Sequence, residues 1–140
     1  MPAIDYCEPQ VIRALNRGGY RVTDQSFALR IDITRGFVFA DLRLVRTTEP
    51  LSSIIVVEVK CFPETRTALD ELYGAIGQYI VYREAMLFNA VEGTLFLAVP
   101  MTVFETLLKR PVLDAAIRET KINLIVVDLE HEEVRQWIRW

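Results

Sequence analysis

The strongest pattern in the chain is the run Ile54-Ile55-Val56-Val57, continued by Glu58-Val59-Lys60. Consecutive β-branched residues have no polar face to offer water, so the run predicts a strand buried on both sides. Cys61-Phe62-Pro63 closes it. From Thr67 to Phe88, Leu69, Leu72, Tyr73, Ile76, Tyr79, Ile80 and Ala85 recur at helical spacing and predict one long helix with a broad apolar face. Gly74 and Gly77 interrupt it, which is expected where helix backbone must come close to a sheet. Gly93 marks a turn into a second buried strand, Thr94–Val99. Short helices follow at Val103–Leu108 and Val112–Glu119, then a buried strand at Ile122–Val127 and a turn at Asp128–Glu132. Val134–Trp140 fits a strand or a short helix equally. Upstream, Val11, Ile12 and Leu15 predict a helix over Asp5–Asn16 that ends at Gly18-Gly19. Asp5 and Glu8 have capping-box spacing there, and Pro9 suits a first helical residue equally well. Short strands are expected at Tyr20–Thr23 and Phe27–Ile33, a turn at Arg35-Gly36, a strand at Phe37–Val45 and a loop at Thr47–Ser52.

Strands separated by helices favour an α/β fold, with a central mixed sheet flanked by helices. The 140 residues fit one domain, 1–140, and carry no repeat and no linker rich in Gly, Ser or Pro. No apolar stretch approaches the roughly 18 residues of a membrane span. Met1-Pro2-Ala3-Ile4-Asp5 has no basic start and no apolar stretch after it, so a cytoplasmic protein with no membrane association is expected. Cys7 and Cys61 are distant and belong to no metal-binding spacing; in that compartment both are expected as reduced thiols. The net charge is −3, and the 16 basic residues are scattered without a run. That counts against avid nonspecific DNA binding, which depends on phosphate neutralisation, but leaves room for a local basic groove.

Glu58 and Lys60 stand out because they break the most apolar strand. Two residues apart, they leave on the same face. A salt bridge at the rim of the sheet would explain them; so would a site that holds a metal ion and a water. Asp41 adds weight to the second reading. It lies in Phe37–Val45, and antiparallel pairing of that strand with Ile54–Lys60 would bring it beside Glu58. Two adjacent carboxylates repel unless a positive charge lies between them. Mg²⁺ or Mn²⁺ suits such oxygen donors, and Lys60 could then orient a water and stabilise charge on a phosphate. An exposed strand-edge acid would explain Asp41 equally well. Gln78 and Tyr82 are four apart on the long helix and share a face. His131, in a turn among acids, is expected to be solvent-exposed and is assigned no role.

Asp41, the Glu58-Val59-Lys60 strand end, and Gln78 with Tyr82 on the next helix resemble the PD-(D/E)XK nuclease superfamily in its RecB-like form. The αβββαβ order matches too. More narrowly, Met1-Pro2-Ala3, the blocks Val57–Phe62 and Ala75–Arg83, and the tail from Ile125–Asp128 to Trp137-Ile138 are similar to the XisH-type fdxN element excision controlling factors of cyanobacteria. The likeness covers nearly the whole chain. It implies a restriction-endonuclease-like core, action on or near DNA beside a site-specific recombinase complex, and a small XisI-type companion protein. It also implies site roles: Asp41, Glu58, Lys60, Gln78 and Tyr82 as catalytic candidates, and Asp41 and Glu58 as Mg²⁺ or Mn²⁺ ligands. Glu8, on the first helix, is a further candidate ligand. The chain departs from the pattern in having Ala40 before Asp41 instead of proline, and in following it with the apolar and basic Leu42-Arg43-Leu44-Val45-Arg46.

Two functional classes therefore remain: a metal-dependent endonuclease that supports DNA excision, and a catalytically inactive regulatory or assembly module built on the same fold. Phe88, Phe104, Trp137 and Trp140 near element ends also suit a homodimer contact.

Overall fold

The computed structural model describes residues 6–48 and 51–140. The helix expected near the start is α1 (Glu8–Arg17). It is followed by β1 (Arg21–Arg30), β2 (Phe37–Thr48) and β3 (Leu51–Val59), a three-residue 3₁₀ turn, and the long helix α2 (Ala68–Phe88). Then come β4 (Thr94–Pro100), α3 (Met101–Thr106), α4 (Pro111–Thr120), β5 (Leu124–Asp128) and β6 (Glu133–Ile138). All six strands form one sheet whose spatial order, β1-β2-β3-β4-β5-β6, is also the chain order. β1, β2 and β3 form an antiparallel meander. The α2 and α3–α4 crossovers make β3–β4 and β4–β5 parallel, and β6 returns antiparallel. The central strands are buried almost continuously because helices cover both faces.

Side-chain alternation divides the core. Val11, Ala14 and Leu15 of α1 pack on Ile55, Val57 and Val59 of β3, on Phe96 and on Ile125. Leu72, Ala75, Tyr79 and Tyr82 of α2 pack on the other face, against Val56, Leu95, Leu97 and Val99. Two hydrogen bonds fix where α2 sits. The Tyr79 hydroxyl donates to the Leu95 carbonyl at 2.9 Å and accepts from the Asn123 N–H at 3.1 Å. At the far end the Asn89 amide takes the place of a strand partner for Arg30, donating to its carbonyl at 2.9 Å and accepting from its N–H at 3.3 Å.

Several expectations are corrected. The two short strands over 20–33 are one strand, β1. A register shift at Val22/Asp24 and a left-handed φ of 52° at Ser26 interrupt its alternation, so its pattern imitates two pieces. Gly74 and Gly77 do not approach the sheet: both lie on the exposed side of α2, and a Cβ at either would meet nothing within 4 Å. Cys7 and Cys61 are not reduced thiols but a disulfide. Cys7 caps α1 and Cys61 follows β3, and packing α1 across that strand end brings their Cα atoms to 5.8 Å. The ambiguous tail is a strand, and the loop at 47–52 is shorter than expected, because β2 reaches Thr48 and β3 begins at Leu51. Pro9 stands in the first turn of α1, while Asp5 of the suggested capping box lies outside the described residues. Among the described residues, no helix is long and apolar enough to cross a membrane.

Candidate functional site

The β2–β3 ladder runs from Thr48↔Leu51 to Leu42↔Val57. Its next step would set Asp41 opposite Glu58, and there the backbone pairing gives way to a side chain. Asp41 Oδ2 accepts a hydrogen bond from the Val59 N–H at 2.7 Å. The same step breaks the alternation of β2: Leu42 and Leu44 pack on the α1 face, whereas Ala40 packs on the α2 face. Across β1 the break is matched by Ser26, which lies between the pairs Gln25↔Leu42 and Phe27↔Ala40. An irregular step of this kind re-aims a side chain within a sheet. It swings Ala40 to the α2 face, whereas Asp41, next to Leu42, lies there by ordinary alternation, as Glu58 does beside Val57 and Val59. Asp41 is 7% exposed and Glu58 4%, so neither is the solvated edge acid that polar character alone would suggest.

Tyr82 comes from α2 to meet them. It is buried, and its pKa is pushed up, first by burial and then by the negative charges of Glu58 and Asp41. The three side chains expected to share a site from β2, β3 and α2 are therefore neighbours. Lys60 lies one residue beyond β3, half-buried, with its N–H bonded to the Ala98 carbonyl at 3.0 Å. Gln78 is one helical turn before Tyr82 and exposed, whereas Tyr82 is buried. Glu8 is 5% exposed, in the first turn of α1, and the adjacent Cys7 is bonded to Cys61 just beyond β3, so the start of the helix sits over that strand end from the opposite layer.

Asp41 and Glu58 offer hard carboxylate oxygens, the donors that Mg²⁺ and Mn²⁺ prefer, and so fit such an ion. Among the described residues, no three His, Cys, Asp or Glu side chains gather into a metal-binding group. An ion on this pair would complete its shell with water and phosphate oxygens, as Mg²⁺ commonly does.

Sequence reading missed a further buried acid. Asp128, at the end of β5, accepts hydrogen bonds from Arg135 Nη2 at 2.9 Å and from the His131 N–H at 3.1 Å, and its Oδ2 lies 2.8 Å from His131 Nδ1. Arg135 first, and then His131, holds the Asp128 carboxyl well below the usual carboxylate range. The hydrogen bond with Asp128 raises His131 in return. The imidazole is exposed, as expected, but it has a partner. Arg17 donates to the His131 carbonyl at 2.7 Å and Arg13 pairs with Glu132 at 2.6 Å, so α1 also holds this turn. The signal available in sequence was an acid ending an apolar strand with Arg135 seven residues later, which is too common to single out.

Fold and site define a mixed α/β domain with two buried carboxylates and a following lysine at the end of its central strand. The family model described as XisH protein matches residues 1–135. The crystal structure of an XisH family protein from Nostoc punctiforme PCC 73102 superposes with a TM-score of 0.84 at 30% identity, over 96% of this chain and 100% of that one. An fdxN element excision controlling factor protein from Anabaena variabilis gives 0.83 at 28% identity, over 94% and 97%. No curated protein matches. The chain belongs to the XisH family.

Proposed function

We propose that the chain is an excision controlling factor with a PD-(D/E)XK-like core that hydrolyses DNA phosphodiesters. The observation that carries this reading is the burial of Asp41 and Glu58 side by side under Tyr82, at the strand end that leads to Lys60. Burying two adjacent carboxylates is costly, and an ordinary rim salt bridge would need only one. Asp41 and Glu58 would hold Mg²⁺ or Mn²⁺, which would supply Lewis-acid stabilisation of phosphate charge. Lys60 would orient the hydrolytic water, Tyr82 would hold Glu58 in place, and exposed Gln78 would contact the phosphate backbone. Glu8 remains a candidate additional ligand at the same strand end.

The test is incubation of the protein with supercoiled and single-stranded DNA in Mn²⁺ or EDTA. Nicking in Mn²⁺ that Lys60→Ala reduces by roughly 100-fold or more is expected for loss of a group acting on the reacting phosphate. Wild-type protein that leaves both DNAs intact in Mn²⁺ would overturn the nuclease reading. A second reading, an inactive module that docks an XisI-type companion within a recombinase complex, is favoured by the net charge of −3. It predicts no divalent-metal affinity, so Mn²⁺ binding that disappears in Glu58→Gln would count against it.

A further inference from the structure

β3 has two ends, and the site described above occupies only one. Where the strand begins, a cleft of about 560 Å³ opens between β2, β3, β4 and β6. Ile55 lines it, and from Ile55 to Lys60 the strand covers roughly 16 Å at about 3.3 Å per residue. Phe96 and Ile55 belong to the α1 face of the sheet, whereas Glu58 points to the α2 face. The cleft and the acid pair are therefore separate.

Its walls combine aromatic rings with guanidinium groups. Tyr20, Phe96 and Trp137 form one cluster, with the Trp137 ring 5.6 Å from Tyr20 and edge-on to Phe96 at 5.2 Å. Trp137 is 40% exposed. The Arg46 guanidinium lies over the Tyr20 ring at 5.0 Å. Its position is built in: Gly19 has a φ of +90°, and a Cβ there would come within 3.3 Å of Arg46 Cδ. Arg46 Nε is buried and has no hydrogen-bond acceptor among the described residues. A buried donor left without a partner is costly, so the cleft offers a fixed guanidinium whose Nε lacks an acceptor among the described residues. Arg139 enters from the end of β6, tethered by one bond from Nη2 to Thr94 Oγ1 at 3.2 Å. Its remaining N–H groups are available to an anion. Glu92 is the one acid among the described residues of the lining.

We infer that this cleft binds a nucleoside monophosphate unit. Two guanidinium groups match a phosphate, which they grip by paired, charge-assisted hydrogen bonds. The indole and phenol rings supply a surface on which a base can stack. Glu92 can accept from an exocyclic amino group of that base. The volume falls within the range of small-ligand sites. The unit can come from a free nucleotide or from the 5′-phosphorylated end of a DNA strand, since both present the same chemistry. The inference does not depend on catalysis at Asp41 and Glu58.

The test is calorimetric titration in EDTA with dAMP, and with short oligonucleotides that do or do not carry a 5′-phosphate. Saturable binding is expected, unchanged in Lys60→Ala and weakened roughly tenfold or more in both Arg46→Met and Arg139→Gln, as the loss of a charge-assisted phosphate contact implies. Arg46→Met keeps the stem over Tyr20, and Arg139→Gln changes a side chain beyond the last strand, so the second variant decides if the first is misfolded. The Trp137 indole resonance should move on addition of dAMP while that of Trp140 stays. Tightest binding by dAMP would identify a free nucleotide, and tightest binding by the phosphorylated oligonucleotide a strand end; both support the assignment. No saturation, equal affinity in the arginine variants, or equal affinity for acetyl-Asp-Tyr would overturn it, the last in favour of an acidic peptide.

Discussion

Tyr82 reports on the charge of the acid pair. Burial contributes most to its raised pKa, and the charges of Glu58 and Asp41 contribute next. Glu58→Gln should therefore lower Tyr82's titration toward the ordinary 10 without restoring it fully, because burial remains. The measurement is the pH dependence of the Tyr82 ring resonances; an unchanged midpoint would mean that Glu58 does not face the hydroxyl. His131 and Asp128 make a second titration pair with opposite signs. The raised pKa of His131 means that its stabilising contribution is complete below its ordinary value of 6.5 and is lost as pH rises through the higher folded value. The depressed pKa of Asp128 means that its contribution is present above its ordinary 3.8 and is lost as pH falls through the lower folded value. His131→Asn should thus cost stability at about pH 6 and little at about pH 9, measured by urea unfolding. An equal loss at both pH values would sink the assignment. At this scale Glu58 was legible in sequence because a carboxylate amid β-branched residues is exceptional, and Asp41 because its strand was expected to pair with that of Glu58. Their burial and their contact with Tyr82 were not, since both depend on how α2 packs over that face of the sheet, which no residue pattern announces.

Helix α2 was the easiest element to read, because its apolar positions repeat over 21 residues. Its two glycines were misread for the same reason: a glycine in a helix suggests close packing, and only the position of the neighbouring elements shows that this side faces water. Their surroundings make a prediction. Gly74→Ala and Gly77→Ala add a Cβ into open space, so each should raise stability by about 1 kcal/mol. Gly93→Ala should do the reverse. Gly93 has a φ of +119°, and a Cβ there would lie 2.8 Å from the Ile54 carbonyl oxygen. A loss of about 1–3 kcal/mol is expected from strain of this kind. Urea unfolding of the three variants checks both signs, and a destabilised Gly74→Ala would show that the outer face of α2 is covered in solution. β1 and β6, at the sheet's edges, were the hardest to delimit. Edge strands meet a core on one side only, and β6 presents Glu133, Arg135 and Gln136 among its apolar residues, so neither a period of two nor one of 3.6 dominates.

For the whole molecule, the covalent link between α1 and the end of β3 has the largest reach. The bond joins residues 54 apart, and closing a loop of that size should contribute about 2–4 kcal/mol. Wild-type protein unfolded in urea with a reductant should lose that amount, and Cys7→Ser should lose the same and no longer respond to reductant. Indifference of the wild type to reductant would remove the bond from the account of stability. Nothing in the cysteine spacing foretold the pairing, because it arises from where α1 crosses the sheet. The strand order has a consequence for synthesis. Each strand lies beside its chain neighbour, so the sheet can be laid down from one edge while the chain leaves the ribosome, and the β1–β3 meander needs no later segment to pair. Asp41 and Glu58 are then set side by side before Tyr82 has left the ribosome. Water can hydrate both charges until α2 closes over them, so the nascent chain meets the cost of drying its acid pair only after the hydrogen-bonded frame around it has formed.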